Sequence, residues 1–142
     1  MKKNKLQVVH EYDFDLIGLV APLKDYKMAW VINHSLRIDL AKTNDFELEF
    51  INQPALVISQ FLLEKDHGFV QLLKNRSFSS SQQALYLVPE LKTIDYFLLV
   101  QDYTYELNIN TYIEELSKSP LVQNVVKLDV NKLKSKENLL TY

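Results

Sequence analysis

The chain has 142 residues, of which 47% are apolar and 24% are charged, and this composition is typical of one folded domain. It contains no cysteine, which excludes disulfides, thiolate catalysis and zinc–thiolate sites. Its net charge of -2 gives no general basic surplus, so nucleic acid is a disfavoured partner.

The N-terminal residues carry no pattern of a targeting or membrane segment. Basic residues in Met1–Lys5 precede a short apolar run, which Glu11, Asp13 and Asp15 interrupt, whereas a signal peptide needs a longer apolar stretch. No run approaches the roughly 18 apolar residues that a membrane span requires. We therefore expect a cytoplasmic protein without membrane contact.

A short strand and two helices are the first predicted elements. Leu6–Val9 is the predicted strand. From Phe14 to Asn33 the pattern becomes helical, because residues recur every three or four positions in a stripe of Leu16, Leu19, Val20, Leu23, Tyr26, Trp30 and Asn33. Pro22 interrupts this stripe, so we predict a short helix from Phe14, a break, and a second helix near residues 23–34.

Three strands of an antiparallel meander are predicted next. In Phe46–Phe50 aromatic and aliphatic residues alternate with glutamates, which is typical of a half-buried strand. Leu56–Glu64 is a long apolar run that we interpret as one strand. Lys65–Gly68 is a predicted turn, and Phe69–Lys74 is the returning strand.

The middle of the chain predicts a loop and a further strand. Ser77–Gln83 is rich in serine and glutamine, which favours an exposed loop. Ala84–Val88 follows as a predicted strand, and Pro89 ends it because proline cannot donate to a strand ladder.

The C-terminal part predicts a strand, a helix and a strand. Ile94–Tyr105 is the clearest predicted strand, and both of its faces are apolar at its start, which favours a central position in the sheet. Asn108 is a predicted N-cap for a helix that ends before Ser119–Pro120, and Val122–Val130 is the last strand. This order predicts a βαβ unit with parallel strands.

Together the elements predict the α+β class, with a mixed, mainly antiparallel sheet, two or three helices packed on it, and the C-terminal βαβ unit. We expect residues 1–142 to form a single domain whose C-terminal tail, residues 131–142, can be flexible.

The residue pattern gives no metal or cofactor site. His10, His34 and His67 lie in three different segments without ligand spacing. The acidic residues Glu11, Asp13 and Asp15 could attract a cation, but we favour a solvated edge in which Asp13 or Asp15 caps the following helix. We expect no metal ion and no cofactor.

Two carboxylates, Glu90 and Asp95, flank a predicted turn between strands. Paired carboxylates can perform acid–base chemistry when burial separates their pKa values. They also suit turn chemistry, because Pro89 presets a helical turn and carboxylates accept bonds from nearby backbone N–H groups. We favour the structural role.

Aromatic residues are the candidate interface. Tyrosine combines apolar area with a polar tip and is enriched at interfaces, although packing is the commoner reason for its presence. The candidate interface residues are Trp30, Tyr103, Tyr105 and Tyr112. A basic C-terminal end could contact phosphate, but we favour a solvated tail for Lys127, Lys132, Lys134 and Lys136.

The segment Val88–Tyr96 resembles the motif of the bacterial IPExxxVDY proteins, with Val88 in place of isoleucine and Ile94 in place of valine. The similarity extends to Asp13–Gly18, Lys24–Trp30 and Asn131–Asn138. The resemblance implies a small cytoplasmic protein and one intact domain, and it supplies no chemistry. It draws attention to Pro89, Glu90, Asp95 and Tyr96 as a structural turn or a pocket.

Three functions follow as hypotheses. The first is a non-enzymatic binding or scaffold module, whose partner would be another protein or a second copy of the chain. The second is a small-molecule-binding protein or minor enzyme that uses Glu90, Asp95 and Tyr96. The third is an RNA-associated factor that uses the lysine tail and the tyrosines.

Overall fold

The structure is a computed structural model that describes residues 13–50, 53–78, 85–104 and 107–139. These residues form two α-helices and eight β-strands. In chain order these are β1 Asp15–Val20, α1 Asp25–Leu36, β2 Ala41–Lys42, β3 Phe46–Phe50, β4 Gln53–Ile58, β5 Gln60–Lys65, β6 Gly68–Lys74, β7 Tyr96–Asp102, α2 Ile109–Ser117 and β8 Asn124–Leu128. Three short 3-10 turns are Pro89–Leu91, Val130–Lys132 and Lys136–Leu139.

Six strands form one antiparallel sheet in the order β2-β5-β6-β7-β1-β8, and β3 pairs with β4 in a second, small sheet. The predicted α+β class with a mainly antiparallel sheet is therefore confirmed. No helix within the described ranges is long and apolar enough to cross a membrane.

The six-stranded sheet separates two apolar cores. On one face, Ile17, Leu72 and Leu98 pack with α1 and α2. On the other face, Leu73 and Phe97 pack with the small sheet, the Val88–Ile94 region and the C-terminal 3-10 turns. Burial of both faces is what makes the central strands read as continuous apolar runs.

The central position predicted for β7 is confirmed, because β6 and β1 pair with its two edges. Tyr96, Leu98 and Val100 face the helices, whereas Phe97 and Leu99 face the other core. The N-cap prediction is also confirmed, since the Asn108 side chain accepts from the N–H of Asn110 at 3.0 Å.

The predicted helix from Phe14 is wrong, because residues Asp15–Val20 form strand β1. β1 lies between β7 and β8 and is buried on both faces, so its unbroken apolar run is that of an inner strand. A cap role for Asp13 or Asp15 is wrong for the same reason. The second helix near residues 23–34 is confirmed as α1, displaced by two residues.

The apolar stripe predicted along this helix is wrong as well. Met28, Val31 and Ile32 are buried against the sheet, whereas Tyr26 and Trp30 are exposed. Both the buried and the exposed residues of α1 recur at helical spacing. The predicted stripe began at Leu16, which lies in β1, and its continuation fell on the exposed side of the helix.

The single strand predicted over Leu56–Glu64 is two strands, β4 and β5, in different sheets. The break falls at Ser59, which is buried and whose hydroxyl donates to the Asp25 carboxylate at 2.6 Å. The predicted meander is therefore divided, although β3 with β4 and β5 with β6 are antiparallel pairs as expected.

The strand predicted over residues 84–88 is wrong for its described part. Tyr86 makes only an isolated bridge with Arg76, and the N–H groups of Leu87 and Val88 donate to Asn75 instead of to a strand.

The C-terminal βαβ prediction is matched loosely. β7 and β8 run in the same direction, since both are antiparallel to β1, but β1 lies between them. The predicted strand Leu6–Val9, His10, Glu11, Tyr105 and most of the predicted serine-rich loop lie outside the described residues.

Candidate functional site

The motif segment is a junction that carries the chain from Val88 into the central strand. Pro89 opens the 3-10 turn, and its fixed φ suits the first position of such a turn. The N–H of Leu91 donates to the carbonyl of Val88 at 3.0 Å, and the N–H of Ile94 donates to Leu91 at 3.1 Å. The turn then leads directly into β7.

Asn75, which follows β6, holds this junction together. Its side-chain amide donates to the carbonyls of Leu91 and Ile94, each at 2.9 Å, and its side-chain oxygen accepts from the N–H of Val88 at 2.9 Å. The residue is fully buried, so these bonds have no competition from water. Sequence reasoning missed Asn75, because a single asparagine after a strand resembles an ordinary turn residue.

Asp95 connects the junction to the chain between β1 and α1. Its carboxylate accepts from the N–H of Ala21 at 2.7 Å, and its own N–H donates to the carbonyl of Leu19 at 2.9 Å. The carboxylate therefore serves a backbone group 74 residues away, not the local turn that the sequence pattern suggested.

Tyr96 extends this connection toward α1. Its ring is buried and its hydroxyl donates a hydrogen bond to the carbonyl of Leu23. Burial raises the pKa of Tyr96 above its ordinary value, and the charges of Asp25 and Asp95 act in the same direction. The phenol therefore stays protonated and acts as a donor.

Glu90 faces a different part of the molecule. Its carboxylate accepts from the N–H of Ser135 at 2.9 Å and from the Ser135 hydroxyl at 2.8 Å. Burial alone would raise the pKa of Glu90, but the hydrogen bonds from its own backbone and from Ser135 outweigh burial and lower it. Glu90 ties the junction to the C-terminal segment, whereas Asp95 ties it to β1, so the two carboxylates have separate partners.

A surface groove of about 420 Å³ lies beside Pro89. Pro54, Leu56, Leu85, Tyr86 and Pro89 supply apolar lining, and Lys92, Lys134, Ser135, Glu137 and Asn138 supply polar lining. The Lys92 ammonium lies 5.8 Å from the centre of the Tyr86 ring. Glu90, Asp95 and Tyr96 do not line the groove, so the motif side chains and the concave surface are separate features.

The solvent-facing side of α1 carries a second concentration of unusual side chains. Trp30 is 54% exposed and Tyr26 is 64% exposed, which is high for large aromatic residues. The Trp30 and His34 rings are stacked with centroids 5.0 Å apart, and the Lys27 ammonium lies 4.5 Å from the indole centre. We call Tyr26, Lys27, Trp30 and His34, together with Arg37, the exposed C-cap residue, the α1 outer face.

Asp25 is the only acidic residue of α1, and it is directed away from this face. Its carboxylate accepts from the Ser59 hydroxyl and from the N–H of Tyr26 at 2.8 Å. Burial works to raise the pKa of Asp25, but these hydrogen bonds and the charges of Lys74 and Lys42 outweigh it and lower the pKa.

The other candidate interface residues do not form one patch with Trp30 along α1. Tyr103 is 53% exposed in the turn after β7, and Tyr112 is half-buried on α2, where it packs against the helix-side core. Burial raises the pKa of Tyr112, with a smaller contribution from Asp102. Tyr105 lies outside the described residues.

The described ranges contain no group of three or more histidine, aspartate or glutamate side chains that could hold a metal ion. His67 lies in an exposed turn, as the sequence pattern suggested. Comparison with known proteins found no matching family model, curated protein or solved structure.

Proposed function

We propose that this chain is a non-enzymatic module that binds another protein through the α1 outer face. The observation that carries the proposal is the exposure of Trp30 and Tyr26 one helical turn apart, on a helix whose opposite side is well packed. Tryptophan, tyrosine and arginine are the residues most enriched among those that dominate binding energy at protein interfaces.

The helix that carries the α1 outer face is anchored to the rest of the fold, which favours recognition. Met28, Val31 and Ile32 fix the helix on the sheet, and Asp25 and Asn33 bond to neighbouring segments at its two ends. An aromatic residue on a fixed helix loses little conformational freedom when a partner binds, so more of the contact energy appears as affinity.

The chemistry of the motif supports a binding module over an enzyme. Each of Glu90, Asp95 and Tyr96 is engaged in a hydrogen bond to backbone, and none of them lines the adjacent groove. A catalytic acid or base needs access to a substrate proton. Membership of the IPExxxVDY family and a cytoplasmic location remain predictions.

Photo-cross-linking in cells of the source organism tests this proposal. With a benzophenone amino acid in place of Trp30, we expect a discrete protein adduct. The same amino acid at exposed Lys127 on β8 is the control and should give none. Equal labelling from both positions, or none from position 30, would contradict the proposal. An adduct of twice the chain mass would identify a second copy as the partner.

The groove beside Pro89 supports a second candidate, a small-molecule-binding protein. Its volume and its mixture of apolar and charged lining residues fall within the range of ligand pockets. Replacing Tyr86 with alanine would remove much of its aromatic wall. We expect the Tyr86→Ala variant to lose the binding of such a small molecule, and to keep both its fold and the adduct from position 30. That result would establish the groove as a separate site.

A further inference from the structure

We infer that the partner presents an acidic segment to the α1 outer face, an inference that rests on the proposed function. The residues at positions 26, 27, 30 and 34 lie within about 100° of the helix circumference, at roughly 100° per residue, and Arg37 is the exposed C-cap residue that follows the helix. Two of them are aromatic, Lys27 and Arg37 are cations, and none carries a carboxylate.

The two cations have no ionic partner within the parts of the chain that the structure describes. The ion pairs found there are Lys42 with Asp45 and Lys118 with Glu115. The only acid of α1, Asp25, is bonded to Ser59, and exposed Lys24 precedes the helix. The acidic residue nearest to Arg37 in the sequence is Asp39, which is exposed and lies beyond the helix. The positive charge of Lys27 and Arg37 is therefore available to a partner.

An acidic protein segment fits this surface better than a nucleic acid does. A stacked base needs a free aromatic face. Lys27 and His34, one turn before Trp30 and one turn after it, both lie against the indole ring, so a stacked base would have to compete with them. Two cations also provide little of the phosphate neutralisation on which nucleic-acid affinity depends.

The positions of Lys27 and Arg37 along the helix set the spacing that we expect between carboxylates in the partner segment. The backbones of Lys27 and of the C-cap residue Arg37 are ten positions apart, which is about 15 Å along the axis at 1.5 Å per residue. An extended peptide advances about 3.3 Å per residue, so carboxylates four or five residues apart would meet both cations. Apolar or aromatic side chains between these carboxylates would lie on Tyr26 and Trp30.

Selection from a random phage-displayed peptide library tests the inference, with the full-length chain as bait. We expect peptides enriched in pairs of aspartate or glutamate four or five residues apart, with apolar residues between them. Their affinity should fall at least tenfold with the double charge reversal Lys27→Glu and Arg37→Glu. Reversal of exposed Lys127 and Lys132, which changes the net charge equally, should leave it unchanged.

The outcomes separate the inference from the proposed function. Peptides that require Trp30 but are neutral or basic, or that bind the double variant unchanged, would overturn the acidic segment and leave the protein-binding face intact. If every selected peptide still binds the Trp30→Ala variant, or if no peptide is selected, the result would count against the α1 outer face itself as a binding surface. Binding of an oligouridylate that the double reversal abolishes, with no acidic peptide selected, would assign the face to nucleic acid and overturn the inference.

Discussion

Replacing Asn75 with alanine is expected to lower the free energy of unfolding by about 3–5 kcal/mol. The change removes the bonds to Leu91 and Ile94 and the bond from Val88. It takes these partners from the buried N–H of Val88 and the carbonyl of buried Ile94, whereas the Leu91 carbonyl still accepts from the N–H of Ile94. Each buried polar group left unsatisfied costs roughly 1–3 kcal/mol. Denaturation in urea, followed by circular dichroism, measures the loss.

Asn110→Ala provides the matched control for this experiment. Asn110 is exposed on α2, and the bond from its N–H to the Asn108 side chain does not require its own side chain. The same chemical change should therefore alter the free energy of unfolding by less than about 0.5 kcal/mol. A loss below about 1 kcal/mol for Asn75→Ala would contradict the role of Asn75 as the centre of the junction.

Replacing Gly68 with alanine is the second change with a large expected effect. Gly68 begins β6 with a φ of 151°, and an added methyl carbon would lie 1.9 Å from the carbonyl oxygen of Gln101. That oxygen is a backbone atom of the central strand β7, whose last residue, Asp102, pairs with Gly68. We expect a loss of about 3 kcal/mol or more in the free energy of unfolding, or failure to fold.

Gly18→Ala is the control, because its added methyl carbon would meet only the ends of side chains. The nearest atoms are Leu128 Cδ1 at 3.0 Å, Ile94 Cδ1 at 3.2 Å and Ile94 Cγ2 at 3.3 Å, all of them side-chain atoms that need to move by only a few tenths of an ångström. We expect a loss of about 1 kcal/mol, in the range for modest overpacking. Equal stabilities for the Gly68→Ala variant and the unmodified chain, measured by thermal unfolding, would contradict the close approach of the strands at Gly68.

Local signals explain which elements could be predicted from the sequence. β7 was predictable because its alternating faces are both apolar over one short segment, and α2 because Asn108 marks its start. β1 was not, since a run such as Leu16–Val20 fits a buried strand and a helix equally well. The break at Ser59 depends on Asp25, 34 residues away, and so has no local signal.

The candidate site was predictable only in its residue types. The sequence singled out Glu90 and Asp95 as acceptors for backbone groups of the local turn, but their partners Ser135 and Ala21 are 45 and 74 residues away. Trp30 was an interface candidate in the sequence, yet its periodic spacing placed it in the apolar stripe. Its exposure follows from the rotation of α1, which the packing of Met28 and Ile32 determines.

Two substitutions at Asp95 test whether the motif segment Val88–Tyr96 has a structural role while the α1 outer face binds the partner. Asp95→Asn removes the charge but keeps an oxygen that can accept from the N–H of Ala21, whereas Asp95→Ala removes the acceptor. A structural role predicts that Asn is tolerated and that Ala lowers the free energy of unfolding by about 1–3 kcal/mol.

The most direct measurement is the yield of the protein adduct from a photo-cross-linker at position 30 in the Asp95→Asn background. We predict the same adduct yield as with Asp95 unchanged, because the side-chain oxygen of residue 95 that accepts from the N–H of Ala21 holds the chain together, and the carboxylate charge takes no part in binding. A folded Asp95→Asn protein of unchanged stability that no longer forms the adduct would show that the motif itself carries the function, contrary to this account.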